Sequence, residues 1–415
     1  MRAAAAVADA AERIPFARTY IAPEARNAVA EVLESGWVTT GPEVGRFERD
    51  FAGFVGAEHA VAVSSCTVAI ELALRALRLP PGARVLASTM TFCGAVNAIL
   101  HAGYRPVLCD VNPETLMPDA TTTAAATRRA GGVDAATVLH FAGYPAPVAE
   151  IAEAAGLPLG RVVEDAAHAL GTWVDGRPVG AISAATCFSF YATKNLPIGE
   201  GGMVTTDDPE LAEFVQRGRL HGMSRDAWKR HLPGSGWRYS VEMAGLKANM
   251  TDVQAAIGRA QLPHFQDWQA QRERLIARYD VGLRAVEGIS LPARPSTGRH
   301  AWHLYIVQIE PTFGLERDRF IAELADRGID CSVHFIPLHQ QAYLRGSDDD
   351  HSSPFPVADE RFERIVSLPL YPSLTEDEVD RVCDAIRDVR EMTRHVVAES
   401  DSPSHPMNKE VRLDA

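Results

Sequence analysis

No run of residues in this chain approaches the roughly 20 consecutive apolar positions that a membrane-crossing helix needs. The alanine-rich opening, AAAAVADAAERI, is broken by Asp9, Glu12 and Arg13. It lacks the basic start, apolar centre and cleavage pattern of a secretion signal, so the expected location is the cytoplasm, with no membrane partner. Cysteines are few and unpaired in spacing: Cys66, Cys93, Cys109, Cys187, Cys331 and Cys383 form no CxxC. Several lie in apolar runs, as reduced core thiols do, which argues against a disulfide framework or a zinc site; no metal is expected. Positive charge is short as well, with 41 Lys+Arg against 54 Asp+Glu and a formal charge of −13. Nucleic acid is therefore not an expected partner, because phosphate backbones demand a basic face. Small phosphorylated molecules stay open, since helix N-termini and a few local cations hold them. Also missing are a GxGxxG after a strand, a GxxxxGK[ST] loop and an HEXXH helix.

What is present is the composition of an ordinary globular protein, 46% hydrophobic and 23% charged over 415 residues. That length exceeds what one core usually organises, so two domains are expected. From about residue 15 to 265 short apolar strands alternate with helices. AVAVS, RVLAS, RPVLCDV, ATVLHF and RVVED read as strands, followed by TCFSFYA and GMVTT. PEARNAVAEVLESG, bracketed by Pro23 and Gly36, and VAIELALRAL read as helices. This βα order predicts an α/β large domain at 15–265 with a mostly parallel, seven-stranded-type sheet covered by helices. From 266 to 395 the order changes to strand HLYIVQI, helix ERDRFIAELADRG, strand DCSVHF and a last helix from TEDEVDRV. That predicts a smaller C-terminal α+β domain. RGSDDDHSSP reads as an acidic loop, and 1–14 and 396–415 as flexible ends, with the first 20 or so residues packing on the small domain.

In such sheets ligands bind beyond the carboxyl ends of the strands, and four features fall there. Ser65, Cys66 and Thr67 open the helix after the first strand, where free N–H groups and the helix dipole suit a phosphate; a plain N-cap is the commoner explanation of the same residues. Phe92 sits at a strand-to-helix junction, as either a ring-stacking aromatic or, more often, a core plug. In VVEDAAHALG, Asp165 closes a buried strand and suits a metal, a ribose or a cationic ring nitrogen, while His168 follows as a ligand or a packed support. Last, FSFYATKNLPIGEGG places Ser189 and Lys194 where a strand runs into a loop. A lysine there is usually a surface residue, but partial desolvation would make it a nucleophile. A phosphate cradle, an aromatic, a buried acid and a lysine, in that order on one sheet, fit pyridoxal phosphate (PLP).

Strung together, GWVTTGPEVGRFE, AVAVSSCTVAIELAL, DVNPETLMPD, VLHFAGYP, VVEDAAHALG, FSFYATKN, EGGMVTTDD, SVHFIPLHQQAY and SLPLYPSLTEDE resemble the DegT/StrS family of PLP-dependent nucleotide-sugar aminotransferases, over roughly residues 14–392. The resemblance implies the fold-type-I, aspartate aminotransferase-like architecture and a homodimer with shared active sites. It implies that Lys194 forms the Schiff base with PLP and that Asp165 pairs with the protonated pyridine nitrogen. Phe92 would stack on the ring and His168 stand beside it, where many members have glutamine. Ser65, Cys66, Thr67 and Ser189 would bind the phosphate, and Asn249 would reach the cofactor phosphate of the neighbouring subunit. Cys66 departs from the usual glycine or alanine, and LKAN from the aromatic-rich segment usual before the asparagine. Dehydratases of the family have lost the lysine; here it is present.

The implied reaction moves an amino group from L-glutamate, through pyridoxamine phosphate, to a keto-sugar carried on a nucleotide. HGMSRDAWKR resembles the branch acting on the C4 ketone of dTDP- or UDP-4-keto-6-deoxyhexoses. Arg225, Lys229 and Arg230 in it are candidate diphosphate contacts, and a solvated basic turn accounts for them equally well. His334 and His339 are candidate sugar contacts, with packing the default for each. A C3-keto-sugar, a cyclitol or another non-nucleotide ketone is the alternative acceptor; a PLP-binding sensor without turnover is the alternative of another class. The alanine- and arginine-rich composition associates with secondary-metabolite pathways.

Overall fold

The computed structural model describes residues 13–224, 239–344 and 355–400. Seven strands build the main sheet: β1 (His59–Val63), β2 (Arg84–Ser88), β3 (Arg105–Cys109), β4 (Ala135–Leu139), β5 (Val162–Asp165), β8 (Ala185–Ser189) and β9 (Gly202–Thr206). A small hairpin of β6 (Trp173–Val174) and β7 (Arg177–Pro178) lies outside it. The order across the main sheet is β1-β9-β8-β5-β4-β2-β3. β9 runs antiparallel to β1 and β8, and the other neighbours are parallel. Strands such as β4 and β9 are buried at every position, because helices cover both faces of the sheet. Between it and the helix Pro42–Val55, Phe51 meets Phe188 and Phe190 edge-on at 5.1 and 5.3 Å. Truncating such a ring to alanine costs about 3–5 kcal/mol.

Local chemistry explains the helix ends near the site. Pro23 starts the helix Pro23–Ser35, and Gly36, at φ 72°, ends it with its N–H on the Leu33 carbonyl. Thr251 and Gln254 form a capping box on Asp252–Gln261. Asp252 then accepts the backbone N–H groups of Gly41, Glu43 and Val44, tying that helix to the start of Pro42–Val55.

The small domain holds an antiparallel sheet of β10 (Ile289–Ser290), β11 (Tyr305–Ile309) and β12 (Ile365–Leu368). Its core includes Leu275, Tyr279, Tyr305, Phe320 and Ile386. Ile14 belongs to that core, and its backbone pairs with Gly328 and Asp330. The helix Phe265–Leu283 joins both domains: Phe265 packs in the large-domain core, Leu275 and Tyr279 in the small one.

Two readings are corrected. DCSVHF forms no strand; it makes a bridge from Ser332 to Ser367 and then turns toward the domain junction. The third strand is instead β12, whose four residues before Pro369 are too short to carry a periodic signal. The last helix, Glu376–Ser400, also continues past residue 395, where a flexible tail was expected. Thr393 on the Phe313 carbonyl, and Arg390 and Arg394 on Glu287, hold the helix at 390–394, just before that extension. The acidic stretch at 345–354 lies outside the described residues.

Candidate active site

The carboxyl ends of β5 and β8, the turn after β1 and two segments of the small domain enclose a cavity of about 500 Å3. Ser65, Cys66, Thr67, Phe92, Asp165, His168, Ser189, Lys194 and His334 all line it, although they lie far apart in the chain. That volume is in the range of small-molecule sites.

Asp165 ends β5 and is nearly inaccessible. Its Oδ1 accepts the Ala167 N–H at 3.0 Å, and the Cys66 thiol lies 3.8 Å away. Burial raises its pKa; the Ala167 N–H and the charge of Lys194 oppose that shift. Its neighbour Glu164 is fully buried among donors: His140 Nε2 at 2.9 Å, Ser183 Oγ at 2.8 Å and Thr186 Oγ1 at 3.2 Å. His140 Nδ1 accepts the Ala146 N–H at 3.0 Å, so its proton is on Nε2 and faces the carboxylate. Alternation along the strand thus gives two adjacent acids opposite environments, one facing the cavity and one sealed.

Lys194 follows β8 after a tight turn, with its N–H on the Tyr191 carbonyl. Burial pulls its pKa down to about 8, against the pull of Asp165 and Cys66. A lysine amine in that range is available as a nucleophile near neutral pH.

The turn after β1 has the form of an anion cradle. Ser65 caps the helix Cys66–Ala76 by accepting the Val68 N–H, and the first-turn N–H groups of Cys66 and Thr67 have no acceptor within the helix. Gly202 of β9 packs on this turn so closely that a Cβ there would lie 2.5 Å from the Ser65 carbonyl carbon. The Cys66 side chain points at the floor, 3.4 Å from the Cys187 carbonyl, so its backbone is what faces an anion. Burial pushes the thiol pKa well up, keeping it protonated.

Phe92 is no core plug. It is 59% exposed at the cavity mouth, 6.0 Å from the Phe335 ring. His168 is buried, and its Nδ1 accepts the Ala142 N–H at 3.2 Å. Burial first, then Lys194 and His334, hold its pKa well below the ordinary value, so it is neutral. His334 lines the cavity with Nδ1 against Ser367 Oγ at 2.8 Å. His339 does not line it. Its ring bridges Thr89 Oγ1 at 2.8 Å and Asp359 Oδ1 at 2.9 Å, an inter-segment tie, so it is corrected from sugar contact to structural link. Asn249 also lies outside the lining; it donates to Thr40 Oγ1 and accepts from Lys247 Nζ. Arg225, Lys229 and Arg230 fall outside the described residues.

A model of the DegT/DnrJ/EryC1/StrS aminotransferase family matches residues 19–387. The chain belongs to that family. It is 44% identical over 382 residues to the spore coat polysaccharide biosynthesis protein SpsC of Bacillus subtilis (strain 168), covering 91% of this chain and 97% of SpsC. DesV of S. venezuelae, solved in complex with a ketimine intermediate, shares 34% identity with a TM-score of 0.78, over 89% of this chain and 94% of DesV. Spr1654 of Streptococcus pneumoniae, named as a sugar aminotransferase and solved in a PLP form, shares 29% identity with a TM-score of 0.82, over 92% and 99%.

This member of the family is thus a PLP-dependent sugar aminotransferase with the fold-type-I architecture. Its own residues fit the cofactor: a buried carboxylate awaiting a cationic partner, an anion cradle that a Cβ at Gly202 would spoil, and a lysine of lowered pKa meet in one cavity. Among the described residues no group of three or more His, Cys, Asp or Glu is placed to hold a metal, and no helix is long and apolar enough to cross a membrane. Tyr191, Glu200, His303 and Phe335 also line the cavity and escaped the reading of the sequence. For His303 the signal was a histidine directly before an apolar strand, where a polar ring needs a partner.

Proposed function

We propose that the enzyme transfers an amino group from L-glutamate to the C4 ketone of a dTDP- or UDP-linked 4-keto-6-deoxyhexose, as a homodimer of the cytoplasm. The observation that carries the reading is the meeting of Lys194 and Asp165 in one cavity beside an anion cradle. Bound PLP supplies an aldehyde that takes up amines and a ring that disperses the electron pair left when a C–H bond breaks. Asp165 faces the cavity with one oxygen committed to the Ala167 N–H, and its charge keeps a ring nitrogen protonated. Lys194 would bond the cofactor, and its free amine would carry a proton to and from the substrate carbon. The N–H groups of Cys66 and Thr67, with the hydroxyls of Ser65, Thr67 and Ser189, hold the phosphate. Phe92 at the mouth would cover the ring, and neutral His168 would lie beside it.

We assign the sugar to His334 on the cavity wall, and the diphosphate to Arg225, Lys229 and Arg230 on the basis of the HGMSRDAWKR sequence alone. Asn249, off its own cavity, serves the phosphate of a second copy. The C4 assignment rests on the likeness of HGMSRDAW and its neighbouring segments to that branch of the family.

The test is an absorption spectrum of the PLP-loaded enzyme after L-glutamate and then each keto-sugar nucleotide. Bleaching of the yellow band by glutamate, and its return with one 4-keto-6-deoxyhexose nucleotide, is the expected result. Return only with a 3-keto-sugar or a cyclitol ketone would move the acceptor. No bleaching with glutamate would reassign the donor.

A further inference from the structure

Lys194 sits in a loop that other segments hold from several sides. Within the loop, the Lys194 N–H is on the Tyr191 carbonyl and the Ile198 N–H on the Phe190 carbonyl, both at 2.9 Å. Thr19 Oγ1 donates to the Ala192 carbonyl at 2.8 Å, and Gln261 Nε2 to the Pro197 carbonyl. The tie next to the lysine itself is Asn195, which is buried. Its Nδ2 donates to the Ala301 carbonyl at 2.9 Å, and its Oδ1 lies 3.1 Å from His303 Nδ1, so both ends of the amide meet the stretch 301–303. That stretch leads into β11, the middle strand of the small sheet. It is docked on the large domain a second time: the Ala301 N–H goes to the Gly143 carbonyl and the His303 N–H to the Ala142 carbonyl, each at 2.9 Å. Gly143 has φ 93°, and a Cβ there would lie 2.8 Å from the His168 carbonyl oxygen and 3.1 Å from Ala301 Cβ, so this close approach needs a glycine. His303 and Leu304 then line the cavity. The lysine loop and the small-domain wall of the cavity thus meet at a buried amide.

We propose that Asn195 is a positioning residue for Lys194: it clamps the lysine loop to the segment entering β11, so that the place of the lysine and the seating of the small-domain wall are set together. The proposal rests on the assignment of Lys194 as the cofactor lysine. Both contacts of the amide are buried, where a hydrogen bond is stronger than in water. The lysine is the covalent neighbour, so freedom gained at residue 195 becomes freedom at 194. An error of about 1 Å in the place of a reacting group costs up to about a hundredfold in rate. An amide with a structural role alone would cost stability and leave the lysine where it is.

Two measurements on Asn195→Ala test this, with His339→Ala as the control, because it breaks another tie between distant segments away from the lysine. In the cofactor-free protein, backbone hydrogen exchange over residues 190–198 should quicken about tenfold or more in Asn195→Ala and stay unchanged in His339→Ala. At saturating PLP, the rate at which the visible band forms should fall about tenfold or more in Asn195→Ala alone. Borohydride reduction and peptide mass mapping then show whether the captured cofactor is on Lys194. Unchanged exchange or unchanged capture in Asn195→Ala overturns the proposal. An equal change in His339→Ala overturns it too, by making the effect one of general stability. Asn195→Ser, too short to reach both partners, is read by the same outcomes if the alanine variant does not fold. If the unmodified protein captures no PLP on Lys194, the cofactor assignment fails and the clamp with it, whereas equal capture in both proteins overturns the clamp alone.

Discussion

The two walls of the cavity are built by different means. The large-domain wall, with Ser65–Thr67, Asp165, Ser189 and Lys194, consists of strand ends and a helix start, each placed by a few neighbouring residues. The small-domain wall, with His303, His334 and Phe335, is placed by bonds that cross the molecule. Asn195 meets His303 across 108 residues, and Thr89 meets His339 across 250. Asp110 likewise receives the N–H groups of Val357 and Ala358. On the proposed function, the first wall carries the bond-making groups, and the second shapes what reaches them.

If that division is right, substitutions in the two walls should separate chemistry from cohesion. The largest effect is expected from Lys194→Ala, which should lower turnover about ten-thousandfold or more, while phosphate and ring contacts still retain cofactor. Turnover and equilibrium dialysis of PLP would show both; near-normal turnover would remove Lys194 from the chemistry. Asp165→Asn should lower turnover about a hundredfold or more. It should also leave the cofactor-free protein as stable or more stable, because burial already disfavours the Asp165 charge. Denaturant unfolding alongside assay checks this pair, and a large loss of stability would make Asp165 structural.

On the other wall, His339→Ala should cost about 1–2 kcal/mol by leaving buried Thr89 Oγ1 without its partner, while Asp359 keeps Gln340, with an unchanged cofactor spectrum. A changed spectrum with unchanged stability would return His339 to the site.

The smallest and most graded effect is with pH. His168, His303 and His334 all have folded pKa values pushed below 6.5 by burial, His334 to about 4. The unfolded chain therefore binds protons that the folded one refuses. Stability of the cofactor-free protein should fall as pH drops from about 6.5 toward about 4, with little change from this source above 6.5. Melting temperatures across that range would measure the slope, and a flat profile would mean these rings accept protons in the folded state.

Lys194, Asp165 and the Ser65–Thr67 turn were legible as candidates because short-range grammar places them: an apolar strand, then a turn, then a helix start, on a sheet whose ligand edge is known from its βα order. Even Cys66, unusual at its position, was readable as a backbone donor. Phe92 was harder, since an aromatic at such a junction is more often core, and only the docking of Phe335 beside it shows the ring at an open mouth. The opposite duties of Glu164 and Asp165 were hidden for a related reason. Two consecutive acids look alike until the strand sends one to the cavity and the other to His140, Ser183 and Thr186.

The amino-acid sequence by itself determined the parallel α/β sheet, the lysine and acid at its ligand edge and the cradle for an anion, because each depends on residues adjacent in the chain. Only the tertiary structure decided that His303 belongs to the cavity and His339 does not, and that β12 rather than 330–335 completes the small sheet. Those outcomes turn on contacts between segments a hundred or more residues apart. Periodicity and spacing carry no record of which distant segment arrives, so packing alone settles it.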